Sequence, residues 1–193
     1  MPDKKRVFII HGWDGYPEEG WFPWLKKELE SRGFYVEVPQ MPNAKAPKIE
    51  AWVSHLLSVV QSPDENTFFV GHSIGCQTIM RYLEKIDQRI GGVLFVAGFF
   101  SLKPEAFEDE EDRAVARPWL ESPINFEKVR KNMGRAIAVL SDNDRFVPLE
   151  NTDSFKKNLG ITPMVKSGMG HFSGSEGTKE LPLVLEELLR IAL

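Results

Sequence analysis

The feature that most constrains this chain is a five-residue junction between two kinds of hydrophobic pattern. Gly71-His72-Ser73-Ile74-Gly75 directly follows the apolar run at residues 67–70 and directly precedes a helical period that begins at Cys76. A serine with glycine two residues to either side, set between strand and helix, fits the sharp turn known as a nucleophile elbow. The glycines let strand and helix pass close together, and the serine hydroxyl then stands exposed at the C-terminal end of a sheet. The pattern alone is weak, and its strand-turn-helix setting is what makes it informative.

The rest of the chain repeats that alternation. Short apolar runs at residues 7–10, 34–38, 67–70, 92–97, 136–140 and 164–166 read as strands, the last of them weak and supported mainly by its place in the pattern. Between them, Trp21, Leu25 and Leu29, then Ile49, Trp52, Val53, Leu56, Leu57 and Val60, then Ile79, Leu83 and Ile86 mark helix faces. Leu181, Val184, Leu185, Leu188 and Ala192 mark a C-terminal helix, with Pro182 in its first turn. Strands alternating with helices imply βαβ units and a mostly parallel sheet covered on both faces. The expected fold class is therefore α/β, as a single domain over residues 1–193. One stretch departs in composition: residues 101–123 are acidic and contain Pro104, Pro118 and Pro123. Two readings stand for it, a solvated helix and loop, or a small lid at the rim of a site.

Bulk properties narrow the function. A net charge of −4 argues against non-specific nucleic-acid binding, which needs clustered excess Lys and Arg. No apolar run approaches the length of a membrane span, and the apolar run behind the charged N-terminus is too short for a secretory signal. The single cysteine, Cys76, allows no intrachain disulfide. A cytoplasmic setting is the default expectation.

A serine hydroxyl is a poor nucleophile until a base takes its proton. Of the four histidines, His171 sits in a glycine-rich loop after the last strand, where this order of elements places a base. His55 falls within a helix, and His72 lies inside the elbow with its side chain expected to point away from Ser73. The base needs an acid to hold its tautomer. Asp142 and Asp144 both follow the strand at residues 136–140; Asp144 is favoured, and Asp142 reads as a stabiliser of the loop. The order Ser73, Asp144, His171 is that of α/β-hydrolases. Two backbone donors should face the developing oxyanion: Ile74, just after the serine, and Trp13, in the His11-Gly12-Trp13 loop after the first strand. Gly12 would let the main chain approach a substrate. His11, Gly12, Tyr16 and Phe99 are the candidate substrate-binding residues, and Trp13, Tyr16, Trp21, Phe99 and Phe100 the candidate apolar lining, with simple core packing an equal alternative for the last three.

Seven segments carry a wider resemblance: His11-Gly12-Trp13, Trp21-Phe22-Pro23-Trp24-Leu25, Met41-Pro42-Asn43, Gly71 to Cys76, Val96-Ala97-Gly98-Phe99, Asp144-Arg145-Phe146-Val147-Pro148 and Gly170-His171-Phe172. Together they resemble the small YdeN-like α/β-hydrolases, a family that includes the retinoblastoma-binding-protein-9 type of serine hydrolase. The resemblance covers essentially the whole chain. It implies a compact α/β-hydrolase fold of about six strands, with helices on both faces and no large cap. It implies Ser73 as nucleophile, Asp144 as acid and His171 as base, with no cofactor and no metal. One departure is Arg145, where many relatives have Pro or Gln after the aspartate. The expected activity is hydrolysis of a small carboxylic ester, amide or thioester through an acyl-enzyme. The alternative is a scaffold with weak or vestigial hydrolysis that serves an unidentified protein partner.

Overall fold

The computed structural model describes residues 4–193. Six strands form one parallel sheet: β1 (Arg6–Ile10), β2 (Tyr35–Glu37), β3 (Thr67–His72), β4 (Gly92–Val96), β5 (Arg135–Ser141) and β6 (Met164–Lys166). Their spatial order is β2-β1-β3-β4-β5-β6. The expected runs all become strands, at boundaries shifted by a residue or two. Among the described residues, seven α-helices accompany them: α1 (Phe22–Glu30), α2 (Ile49–Val59), α3 (Ile74–Leu83), α4 (Glu110–Glu121), α5 (Phe126–Asn132), α6 (Asn151–Leu159) and α7 (Pro182–Ala192).

Strand alternation divides the core in two. Phe8, Ile10, Phe69, Val93, Phe95, Ala138 and Leu140 face the layer of α2, α3, α5 and α6. Val7, Ile9, Phe68, Val70, Leu94, Val96 and Val139 face α1 and α7. Because successive side chains of a strand point to opposite faces, a strand covered on both sides must be apolar throughout. That is why these runs show no polar alternation.

The chain enters at β1, turns out to β2, and returns across β1 to β3, from which it proceeds the other way to β6. The reversal leaves a crevice at the C-terminal ends of β1 and β3, the place where open α/β sheets bind ligands. The loop after β1 begins at His11, and the turn after β3 carries Ser73.

Two helices, α5 and α6, escape the hydrophobic pattern. α6 is nearly all polar, with only Phe155 and Leu159 as buried apolar residues. α5 is two turns long, too short to show a period. In the acidic stretch, the Asp109 carboxylate caps α4 by accepting from the Asp112 N–H at 3.0 Å. Glu110, Glu111 and Asp112 fill that helix's first turn, where carboxylates oppose the positive end of the helix dipole. Part of the acidity is thus helix-start chemistry.

Candidate active site

Ser73 occupies a backbone conformation that L-residues rarely adopt, φ 53° and ψ −121°. Its N–H donates to the Val96 carbonyl at 2.9 Å, so β4 holds the turn from one side. The neighbouring glycines are required by packing. A Cβ at Gly75 would lie 2.3 Å from the Ile10 carbonyl oxygen, and one at Gly71 would lie 2.7 Å from Ile79 Cδ1.

His171 lines the same cleft as Ser73. Its Nδ1 and Asp144 Oδ2 are 2.8 Å apart, and both side chains are buried. The Asp144 carboxylate is the acceptor, so the imidazole N–H lies at Nδ1 and Nε2 is left without a partner among the described residues. The other oxygen, Asp144 Oδ1, accepts from the N–H groups of Phe146 (2.8 Å) and Val147 (3.0 Å). Burial would raise this carboxyl's pKa. The hydrogen bond and charge of His171 and the two backbone donors outweigh it, and hold the pKa below the usual carboxylate range. Asp142 is exposed and caps the Gly168 N–H at 2.8 Å. The structure therefore brings Asp144, and not Asp142, to the histidine. Ser73 Oγ makes no hydrogen bond to His171 Nε2 in this conformation. Such bonds are often long without substrate and tighten in its complex.

The histidine loop is tied down by groups that spacing did not reveal. The Ser141 hydroxyl accepts from Met169 N–H at 3.0 Å, and Asn143 Oδ1 from Gly170 N–H at 2.8 Å. Glu176 Oε2 accepts from the His171 N–H at 2.8 Å. Lys103 Nζ donates to the Asp144 carbonyl at 2.6 Å. Of these, only Glu176 had a readable signal, since Ser173 and Glu176 form a capping box three residues apart.

His72 is buried beside the cleft and braces the histidine loop. Its Nε2–H donates to the His171 carbonyl at 2.8 Å, and its ring stacks at a tilt on the His171 ring with centroids 5.0 Å apart. Its pKa is pushed down to about 3, first by burial and then by the neighbouring His171. Trp21 braces the same loop, its Nε1–H donating to the Phe172 carbonyl at 2.9 Å.

The cleft has a volume of about 630 Å³ and is lined by Gly12, Trp13, Ser73, Ile74, Phe99, Phe146 and His171 among others. A Cβ at Gly12 would lie 3.4 Å from Ser73 Cβ, so the β1 loop closely approaches the serine. The backbone N–H groups of Trp13 and Ile74 donate to no protein acceptor among the described residues, and both residues line the cleft. Leu102, Glu105, Ala106, Glu108 and Asp112 form part of its rim, so the acidic stretch lies beside the cleft. The far end of α4 is anchored: Trp119 is fully buried and donates to the Pro47 carbonyl at 3.0 Å.

Four expected substrate contacts are not in the cleft. His11 is fully buried; its Nδ1–H donates to the Gly12 carbonyl and its Nε2 accepts from the Met41 N–H at 3.0 Å. It ties the β1 loop to the segment after β2, and burial lowers its pKa. Tyr16 is 51% exposed and lies outside the lining. Trp21 packs behind His72, and Phe100 against Phe126 and Phe155. Among the described residues, no group of three His, Cys, Asp or Glu side chains is placed to hold a metal ion. No helix among the described residues is long and apolar enough to cross a membrane.

The parallel sheet, the elbow at the topological switch and the absence of a large cap define a compact α/β-hydrolase. The family model described as Serine hydrolase matches residues 7–190, and the chain belongs to that family. It is 30% identical to the protein YdeN of Bacillus subtilis (strain 168), over 95% of this chain and 94% of that one. It is 27% identical to the serine hydrolase RBBP9 of Rattus norvegicus, over 100% and 98% of the two chains. The crystal structure of the B. subtilis ydeN gene product superposes with a TM-score of 0.88 at 28% identity, covering 97% of this chain and 98% of that chain. Est1E from Butyrivibrio proteoclasticus shares the fold at a TM-score of 0.70 and 18% identity, over 98% and 89%.

Proposed function

We propose that the chain hydrolyses a small carboxylic ester, with amides and thioesters as chemically related substrates, through an acyl-enzyme. The observation that carries the reading is the 2.8 Å Asp144–His171 pair facing the same cleft as a serine at φ 53°. In this reading His171 Nε2, unpaired among the described residues, takes the proton from Ser73 Oγ as that oxygen attacks the carbonyl carbon. Asp144 keeps the imidazole in the Nδ1–H tautomer and stabilises the imidazolium. The tetrahedral oxyanion accepts from the unpaired N–H groups of Trp13 and Ile74, the latter at the positive end of the α3 dipole. The imidazolium then protonates the leaving group, and the acyl group stays on Ser73. Water, deprotonated by His171 in turn, attacks the acyl-enzyme and releases the acid.

A fluorophosphonate probe tests the nucleophile directly. Mass spectrometry should find one adduct, on Ser73, and labelling should remove hydrolysis of a p-nitrophenyl ester in parallel. Turnover that survives complete labelling would exclude this chemistry.

A further inference from the structure

A second cavity lies on the other side of α4 and shares no lining residue with the cleft. It is a groove of about 1020 Å³ between α2, α4 and the C-terminal end of α3. Its walls are largely apolar: Ala46, Ile49, Val53 and Leu57 on one side, Val115 and Pro118 on the other. Small-molecule sites commonly span about 300–1,000 Å³, with apolar walls and a few fixed polar groups.

The fixed polar group here is Arg81, which lines the groove and is only 4% exposed. Two of its N–H groups, on Nη2, are spent on the carbonyls of Trp119 and Ser122, at 3.1 and 3.0 Å. Its Nε is buried without an acceptor. No carboxylate forms an ion pair with it among the described residues; Glu84 Oε2, on the same helix, accepts from the Asn125 N–H instead. The groove's other charges are Lys48, Lys85, Glu50 and Glu111 on exposed residues and Glu84 on a half-buried one, two cations against three carboxylates. A guanidinium held out of water with no carboxylate in ion-pair contact is costly: burial lowers its pKa, and the nearby charge of Glu84 offsets only part of that. An anion entering from the groove would remove that cost.

We propose that this groove binds a single-tailed amphiphile with a carboxylate head, the head on the Arg81 guanidinium and the alkyl chain along the α2–α4 walls. A charged donor supplies a strong, charge-assisted hydrogen bond, and the apolar walls supply burial for the tail. The site stands independently of the reading of the Ser73 cleft.

Calorimetric titration of the full chain with octanoate and with octanol, both below micelle formation, tests it. Octanoate should bind saturably and octanol about tenfold more weakly, the worth of a charged hydrogen bond. Arg81→Gln should bring octanoate to the octanol level. Ala114→Trp, at an exposed position on the groove wall of α4, should abolish binding while leaving the melting temperature unchanged. If Arg81→Gln fails to fold, because it also loses the carbonyl contacts, the Ala114→Trp variant and the two ligands decide. Equal binding of octanoate and octanol, unchanged octanoate binding by Ala114→Trp, or no saturable octanoate binding would each overturn the proposal.

Discussion

The His72 imidazole donates a 2.8 Å hydrogen bond to the main-chain carbonyl of His171, joining the elbow to the loop that carries the imidazole facing it. The two residues are far apart in sequence, and the bond fixes the height of one loop over the other. Because the His72 ring is enclosed and its pKa is about 3, it stays a neutral donor throughout the working range of pH.

The same burial makes His72 an acid-sensitive element. Its folded pKa lies below the unfolded value of about 6.5, so the unfolded chain takes up a proton that the folded chain refuses. Its contribution to stability is present above pH 6.5 and is lost as pH falls toward 3, with a slope of about 1.4 kcal/mol per pH unit. Urea unfolding of the wild type and of His72→Gln between about pH 6 and pH 4 should show a curve flatter by roughly that slope in the variant. Parallel curves would mean that His72 is already protonated when folded.

Replacing Ser73 or His171 by Ala should lower ester turnover by about a thousandfold or more, with little change in melting temperature. Asp144→Asn should also cost heavily, since Asp144 alone touches His171 Nδ1. Asp142→Asn should cost far less, through a loosened Gly168 loop only. Steady-state kinetics of the four variants ranks them, and a larger loss at Asp142 would reassign the acid.

Gly75 and Gly12 should separate folding from activity. Gly75→Ala forces a Cβ against the Ile10 carbonyl oxygen at 2.3 Å, a backbone atom that cannot swing aside, and should destabilise by about 1–3 kcal/mol in denaturant titration. Gly12→Ala meets His72 Nδ1 at 3.2 Å and Ser73 Cβ at 3.4 Å, contacts that a small shift accommodates. It should melt near the wild type yet lose turnover, because the added methyl crowds the serine. Normal kinetics for Gly12→Ala would mean that the β1 loop does not approach the substrate.

The cleft should discriminate by charge. Asp14, Glu19, Glu105, Glu108 and Asp112 line it against only Lys45 and Arg145. Burial raises the pKa of Glu19, which faces the His171 side. A neutral ester should therefore show a lower KM than its analogue with a terminal carboxylate, and the gap should narrow as salt screens the exposed carboxylates. Glu105→Gln with Glu108→Gln should narrow it too. Equal KM values at low salt would show that these groups lie beyond the bound substrate.

Much of this was legible in the chain. The four inner strands could be read because a strand covered on both faces is apolar at nearly every position, a pattern that needs no partner to be seen, whereas the edge strand β6 was legible mainly from its place in the alternation. The elbow was readable because its glycines answer local collisions with the following helix and with β1. α6 was not, since two buried apolar residues in nine leave no period to detect. His11 looked like a site residue from its place after β1, whereas its ring is turned inward to the segment after β2.

The amino-acid sequence by itself determined the order of the strands and of the periodic helices, and the loops on which Ser73, Asp144 and His171 sit, because those follow from period and turn chemistry along the chain. Tertiary structure decided which aspartate meets the imidazole, which aromatics line the cleft, and that His72, Asn143 and Glu176 hold the His171 loop. Those outcomes depend on the direction of side chains brought together from distant segments, and direction across a sheet edge is set by packing, which no local pattern encodes.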